Sequence, residues 1–257
     1  LYDKFRLGML VLGVDVRGGI PTTGTYERLE DFEDVPLREF VVEHTTQGVY
    51  ENFFEPLLDA KFGSKRDEVS AAWLLGRVRF RGERDLLRGE PLGYLEGGFG
   101  RLLDALLAEI GDENVRTGTR VTDLTVENRA VSGLTAERDG ETEEHAVDGV
   151  VVATMPNVLE ALTGYECAIE FQGTVCSVVS MEEPLTNTYW LNIGDDAPFG
   201  ALIEHTNFIE PDRYGGEHLL YVPKYVQSID DEIWQLNDEQ VEDRWLAGIE
   251  ALFPDFS

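Results

Sequence analysis

The chain has 257 residues, of which 42% are hydrophobic and 28% charged, enough to bury one large core or two modest ones. Acidic residues outnumber basic ones by 50 to 21, which gives a formal net charge of −29. Nucleic acids and anionic membrane surfaces would repel such a chain, which excludes them as partners. No apolar run approaches the roughly 20 residues that a membrane span needs.

The basic residues are unevenly divided, because four of them are lysines and the rest are arginines. Acid-rich, lysine-poor surfaces are typical of organisms that accumulate salt, since molar salt shortens the Debye length to about 3 Å and screens the self-repulsion. An acidic interaction surface is the alternative, but it would gather its charge into runs or a tail. The acidic patches here are short, so we predict a halophilic protein.

Apolar residues recur at helical spacing through much of the first ninety residues, from Leu1 to Val14, from about Val35, and in VSAAWLLGRVRFRG. The spacing then predicts a helix over Phe99 to Ile110 with one buried face. Three strand patterns follow, the second ending in an Asp139-Gly140 hairpin signal. The apolar run VVVAT predicts a strand buried on both faces and ended by Pro156.

Strand patterns dominate the last third of the chain, and their short separations predict an antiparallel sheet made of FQGTVCSVVSMEE, TYWLNIG, FGALIEHTNFI and HLLYVPKYV. Within it, EHTNF is interpreted as strand, with Glu204 and His205 on opposite faces. A final amphipathic helix is predicted over Asp238 to Leu252. Cys167 and Cys176 share no metal-ligand spacing, which favours buried reduced thiols and a cytoplasmic protein.

Most sequence signatures of catalysis are missing: GxSxG, the P-loop, CxxC and HExxH do not occur. The four histidines are too widely separated to predict a metal site. Gly97-Gly98-Phe99-Gly100 matches half of a dinucleotide fingerprint, but Leu103 stands where the third glycine is needed. Glycines before a helix can accept an anion at its N-terminus, or they can simply form a tight turn.

The order of GYLEGG, an amphipathic helix, TRVTDL, a hairpin and VDGVVVATMP resembles the FAD-dependent amine oxidase superfamily, which includes protoporphyrinogen oxidase and phytoene desaturase. FFEPLLDAKFGSKRDEVSAAW, YWLNI, PFGALIEHTN and GGEHLLYVPKYV are similar to its protoporphyrinogen-oxidase-like branch. The resemblance implies a mixed α+β fold, with a substrate domain of helices and antiparallel sheet and a partial FAD-binding, Rossmann-like (GR2-type) portion. The implied divisions are 1–92 (helical part of the substrate domain), 93–160 (partial FAD-domain segment) and 161–257 (sheet and helix of the substrate domain).

The resemblance also implies cofactor-binding positions. The backbone of Val121 matches the position that contacts the adenine, and Gly97 and Gly98 match a glycine turn near the flavin. A cofactor-proximal turn corresponds to Ala153, Thr154 and Pro156. No side chain is an evident catalytic acid or base.

Three residues are candidates for the substrate face, namely His205, Asn207 and Tyr221. In amine oxidases proper a lysine often lies near the flavin on a substrate-domain strand, and Val175 stands near that place here. This departure favours a dehydrogenase or desaturase acting on an apolar or ring substrate over an enzyme acting on amines.

We expect the chain to be a central fragment, because the GxGxxG unit and the C-terminal Gly-Asp segment of the family are missing from it. The parent protein would bind FAD and pass hydride to it from a small-molecule substrate, whereas the fragment would bind FAD poorly or not at all. The alternative is a non-enzymatic module derived from this family that holds a hydrophobic ligand or a partner protein.

Overall fold

A computed structural model describes residues 1–15, 22–23, 28–80, 92–194, 196–254 and 256. The chain divides into two compact units, one made of residues 1–92 and 171–257 and the other of residues 93–170. Helices and antiparallel sheets are both present, which confirms the predicted mixed α+β class. The assignment of substrate and FAD domains to these stretches stays a prediction.

The first part of the larger unit is mainly helical. A new helix begins after Thr46, whose hydroxyl accepts a hydrogen bond from the amide of Val49 at 3.1 Å. A π-helical turn at Tyr50–Phe54 separates the third helix from the fourth. The elements are α1 (Tyr2–Val11), the short strands β1 (Val14–Asp15) and β2 (Thr22–Thr23), α2 (Leu37–His44), α3 (Gln47–Val49), α4 (Glu55–Phe62) and α5 (Ala71–Phe80).

One face of each of these helices is buried in a shared apolar core. The ring of Phe40 packs edge-on against Phe32, with centroids 5.6 Å apart. Two backbone hydrogen bonds tie the start of α2 to the start of α5, from the amide of Leu37 to the carbonyl of Val69 at 2.8 Å and from Ala71 to Val35 at 2.7 Å. The fully buried members include Leu37, Phe40, Val41, Tyr50, Leu58 and Ala71.

The smaller unit contains one helix, a three-stranded antiparallel sheet and a second helix. Both central residues of the Asp139–Gly140 turn have positive φ, 53° and 83°, as a tight two-residue hairpin requires. The strand order is β3-β4-β5. The elements are α6 (Gly100–Ile110), β3 (Arg120–Glu127), β4 (Ala130–Arg138), β5 (Glu141–Ala146) and α7 (Pro156–Thr163).

Two predictions for the smaller unit are wrong. The apolar side of α6 is exposed among the described residues, although its periodicity predicted burial. The run VVVAT is not a strand: Val151 is 92% exposed, and residues 150–155 have no partner strand in the described part of the chain. A strand needs a neighbour for its backbone groups. Pro156 does not end a strand but starts α7, in the first-turn position that suits proline.

The last part of the larger unit is a four-stranded antiparallel sheet covered on one face by a helix. The outer strand and its neighbour pair over nine consecutive positions, from Gly173↔Val226 to Met181↔His218. The strands are β6 (Gly173–Met181), β7 (Trp190–Asn192), β8 (Ala201–Glu204) and β9 (His218–Val226), in the order β6-β9-β8-β7, and the helix is α8 (Asp238–Leu252).

The core of this region lies between the sheet and α8. Val241, Trp245 and Ile249 of the helix face the sheet and are buried, as the helical spacing predicts. The sheet contributes Leu220 and Val222 of β9, both 0% exposed. Side chains alternate along a strand, so the residues between these two point to the other face of the sheet.

The two cysteines are not buried as predicted. Cys176 is exposed, because it occupies an outward position on the outer strand β6, and Cys167 is half-buried in the smaller unit. Both are free thiols.

Candidate functional site

A row of four side chains crosses the sheet on the face opposite α8. The strand registers place Trp190 of β7 beside Ile203 of β8, Ile203 beside Tyr221 of β9, and Tyr221 beside Val178 of β6. Directly paired residues lie on the same face, so these four form one continuous apolar and aromatic strip. Trp190 is 49% exposed and Val178 is 54% exposed. Both ends of the strip are therefore exposed, and Ile203 and Tyr221 between them are half-buried.

His205 and Tyr221, both predicted as substrate-face residues, are brought together at this strip. Their rings meet edge to face, with centroids 5.8 Å apart. The imidazole Nε2 also lies 2.6 Å from the hydroxyl of Tyr214. Burial lowers the pKa of His205 from its ordinary value of 6.5, which favours a neutral ring at pH 7. A neutral imidazole and the phenol of Tyr214 thus form a polar pair beside Tyr221.

The strand β8 ends at Glu204, five residues before the predicted end at Ile209. Residues 205–207 form a single 3₁₀ turn. This turn brings the ring of His205 to the ring of Tyr221, whereas the side chain of the preceding residue, Glu204, is buried. The prediction that EHTNF is strand is therefore wrong after Glu204, because the amides of Phe208 and Ile209 both donate to the carbonyl of His205 at 3.0 Å and close a turn in place of strand pairing.

Asn207 does not join the His205 group. Its side-chain amide donates to the carbonyls of Thr186 and Thr188, both at 3.1 Å. These two bonds hold the loop between β6 and β7. Both amide hydrogens have protein acceptors, so this residue serves the loop's conformation.

Glu204 is a buried carboxylate that sequence reasoning treated only as a neighbour of His205. It accepts hydrogen bonds from the amides of Leu185 and Thr186 at 2.9 and 2.8 Å, and from the Thr186 hydroxyl at 3.0 Å. Several donors on one carboxylate offset the cost of burying its charge. Together, Glu204 and Asn207 fix the loop that leads to Trp190.

Lys61 of α4 is a second residue that the sequence gave no reason to select. Its ammonium donates to the hydroxyl of Tyr225 at 3.2 Å and lies 4.4 Å from the centre of that ring. Tyr225 is four residues after Tyr221 on β9, so both project from the same face of the strand. The scarcity of lysine was the one sequence signal that could have drawn attention to this residue.

The predicted cofactor-binding residues all lie in the smaller unit. Gly97 and Gly98 form a turn before α6 with φ of 84° and 80°, values that favour glycine. Val121 of β3 pairs with Ala136 of β4, and a bulge at Thr122 follows it. Of the remaining three, Ala153 and Thr154 lie in exposed coil, and Pro156 is the first residue of α7.

Two absences hold for the described part of the chain, one of metal sites and one of membrane-spanning helices. There, no three His, Cys, Asp or Glu side chains are grouped so that they could hold a metal ion. None of the described helices is both long and apolar enough to cross a bilayer.

The family follows from the sequence as a whole. Residues 9–257 match the model of the flavin containing amine oxidoreductases, and the chain belongs to that family. This confirms the predicted superfamily and places the chain among flavin-dependent oxidoreductases. A search of curated protein sequences returned no match.

Solved structures share the fold at low sequence identity. An oxidoreductase from Methanosarcina mazei aligns with a TM-score of 0.66 at 17% identity over 98% of this chain. A reduced UDP-galactopyranose mutase aligns at 0.56 and 15% over 84%, and a protein from Pyrococcus furiosus at 0.55 and 12% over 95%. The chain spans 58%, 51% and 64% of those three chains respectively.

Proposed function

We propose that the whole protein is an FAD-dependent oxidoreductase of the protoporphyrinogen-oxidase- and phytoene-desaturase-like branch, acting on an apolar or ring-shaped substrate. Membership of the flavin family supports the cofactor. The apolar strip from Trp190 to Val178, exposed at both ends, is the single observation that supports the substrate class. An apolar surface with one polar group beside it is typical of small-molecule sites.

The residues before α6 fit part of a flavin dinucleotide. No side chain caps the first turn of α6, and the amides of Arg101 and Leu102 donate to the carbonyls of Gly98 and Phe99 at 3.2 and 3.0 Å. Gly97 and Gly98 have no Cβ, so a ligand could approach their backbone closely. At Gly98 a Cβ would lie 3.4 Å from the hydroxyl of Tyr94. In the whole protein these glycines would contact the cofactor, together with the backbone of Val121 and the turn at Ala153, Thr154 and Pro156.

Bound FAD would supply the hydride acceptor, and the protein would supply position and an environment poor in water. Tyr221 and Ile203 would pack against the substrate's apolar body and orient it. The neutral imidazole of His205 would accept or donate one hydrogen bond beside Tyr221. We further propose that the 257-residue chain alone binds FAD weakly, since no GxGxxG segment occurs in it.

We also propose that the protein comes from a salt-accumulating organism. The net charge of −29 and the ratio of four lysines to seventeen arginines support this origin. The charge is spread along the whole chain, so its mutual repulsion falls as salt shortens the Debye length.

The test uses the whole protein, prepared with FAD in molar salt. We expect a yellow protein with a flavin spectrum, which bleaches under anaerobic conditions when apolar ring compounds with oxidisable C–H bonds are added. A protein that stays colourless after incubation with FAD would refute the proposal. Binding of the apolar compounds without flavin reduction would instead favour the non-enzymatic ligand-binding module.

A further inference from the structure

Lys61 is a half-buried cation without a carboxylate partner among the described residues, in a chain where acids outnumber bases by 50 to 21. Arginines and one histidine form ion pairs in the described part of the chain, for example Arg66 with Asp59 at 2.9 Å. Lys4 and Lys224 also form no ion pair among the described residues, so the feature that distinguishes Lys61 is its ammonium group against a tyrosine ring. Its contacts are the hydroxyl and ring of Tyr225 and, at 5.8 Å, the ring of Phe62.

The position of Lys61 is fixed by its main chain as well as by its ammonium group. Its carbonyl oxygen accepts hydrogen bonds from the side-chain amides of Gln172, just before β6, and Gln227, just after β9, the latter at 3.1 Å. The lysine is thus fastened to the ends of two adjacent strands. A cation–π contact with Tyr225 stabilises the charge without neutralising it.

The charge lies on the same side of the sheet as the apolar strip. Tyr225 and Tyr221 are separated by four residues of β9, or about 13 Å. Leu220 and Val222, which alternate with them, face the core under α8. This face therefore has a cation at one end of β9, Tyr221 in its middle, and the His205–Tyr214 pair beside Tyr221.

We propose that Lys61 binds an anionic group carried by an apolar ligand whose body lies along β9 against Tyr221. The inference rests on the proposed function and deepens it, because it assigns the substrate one anionic group. That group would lie about 13 Å from the part of the substrate that contacts Tyr221 and His205. A general negative charge repels free anions, so recognition of an anionic ligand requires a local cation held free of carboxylates. Lys61 meets that requirement.

Two fluorescent probes test the proposal with the 257-residue chain in high salt. 8-Anilinonaphthalene-1-sulfonate carries a sulfonate, and N-phenyl-1-naphthylamine has the same ring system without it. We expect Lys61→Met to weaken binding of the sulfonate at least about fivefold and to leave the uncharged probe unchanged, since a charge-assisted contact of about 1 kcal/mol corresponds to that factor. Lys61→Arg should retain the sulfonate preference.

Lys4→Met, which removes one exposed charge from α1, is the matched control and should change neither probe. A second measurement uses the unmodified chain: the bound sulfonate should slow acetylation of Lys61 and not of Lys4, read by mass spectrometry. Equal effects of Lys61→Met and Lys4→Met, or no protection of Lys61, would overturn the proposal. Neither measurement needs flavin, so a colourless protein would refute the proposed function and leave this inference standing.

Discussion

Glu204 and Thr186 are joined by two hydrogen bonds, one from the backbone amide at 2.8 Å and one from the hydroxyl at 3.0 Å, both accepted by the same carboxylate oxygen. The other oxygen accepts from the amide of Leu185 at 2.9 Å. The buried carboxylate thus accepts hydrogen bonds from backbone amides of the loop before β7, as a neighbouring strand would do in a sheet. The loop then leads to Trp190, the first member of the apolar strip.

Glu204→Gln should therefore destabilise the protein strongly. The glutamine keeps the shape of the side chain but presents an NH2 group to backbone and hydroxyl donors, which leaves buried polar groups unpaired. We expect a loss of about 2–3 kcal/mol in the free energy of unfolding, measured by urea denaturation. Glu210→Gln, at an exposed position, is the control and should stay within about 0.5 kcal/mol of the unmodified protein. A loss no larger than that of the control would contradict the assigned role.

Sequence patterns predicted elements well where each element carries its own signals. β9 follows the predicted HLLYVPKYV, and α8 has the predicted bounds, because apolar spacing and an N-terminal cap are both local. The strand prediction for residues 150–155 was wrong for the opposite reason. Their apolar composition is compatible with a strand, but pairing depends on a neighbour elsewhere in the chain.

The site was predicted only in part. His205 and Tyr221 were both selected, and the register between β8 and β9 brings them together. Tyr214 and Lys61 were missed, because their contacts come from a turn and from a helix 164 residues away from Tyr225 in sequence. The contact of Lys61 is long-range, and that of Tyr214 depends on the conformation of a short turn, so neither has a signature in local residue spacing.

A reciprocal capping box starts α8 and predicts a measurable stability effect. The side chain of Asn237 accepts from the amide of Gln240 at 3.0 Å, and the Gln240 side chain accepts from the amide of Asn237 at 3.1 Å. Asn237→Ala removes one bond and the cap, so we expect a loss of about 1 kcal/mol, measured as a shift in the urea midpoint. Glu242→Ala, at an exposed position of α8 outside the box, is the comparison; a similar loss there would argue against a capping effect.

Two helical glycines should respond in opposite directions to substitution by alanine. A Cβ at Gly248 of α8 would lie 2.7 Å from Cγ of Pro198 and 2.9 Å from Cε1 of Phe199, whereas at Gly76 of α5 the nearest atom is Cδ1 of Leu29 at 3.7 Å. Gly248→Ala should cost about 1–3 kcal/mol through overpacking. Gly76→Ala should gain up to about 1 kcal/mol from helix propensity. Thermal melts of the two variants distinguish them, and a stabilised Gly248→Ala would disprove the close packing.

The dispersed negative charge predicts stabilisation by salt. With a net charge of −29, self-repulsion opposes folding most in dilute buffer. Raising KCl from about 0.1 M to about 1 M shortens the Debye length from about 10 Å to about 3 Å. We expect the melting temperature to rise throughout this range, followed by circular dichroism. Sodium chloride should act like KCl if screening is the cause, and an unchanged melting curve would require another explanation of the charge.

His205 should make stability depend on pH on the acid side of neutrality. Burial lowers its pKa in the folded protein below the 6.5 of the unfolded chain, so the unfolded state binds more protons as the pH falls. The stability associated with the neutral ring is thus present above pH 6.5 and is lost as the pH drops through the folded pKa. Replacing His205 by glutamine removes this loss.

The expected result is a difference between His205→Gln and the unmodified protein that shrinks from pH 7.5 to pH 5.5, measured by urea denaturation at each pH. Tyr214→Phe is the matched control, because it removes the hydroxyl 2.6 Å from Nε2 and leaves the titrating ring in place. Its pH dependence should follow that of the unmodified protein. Protonation of the many carboxylates affects all three proteins alike and cancels in the comparison. If the His205→Gln difference stays constant between the two pH values, the ring is not held neutral by burial.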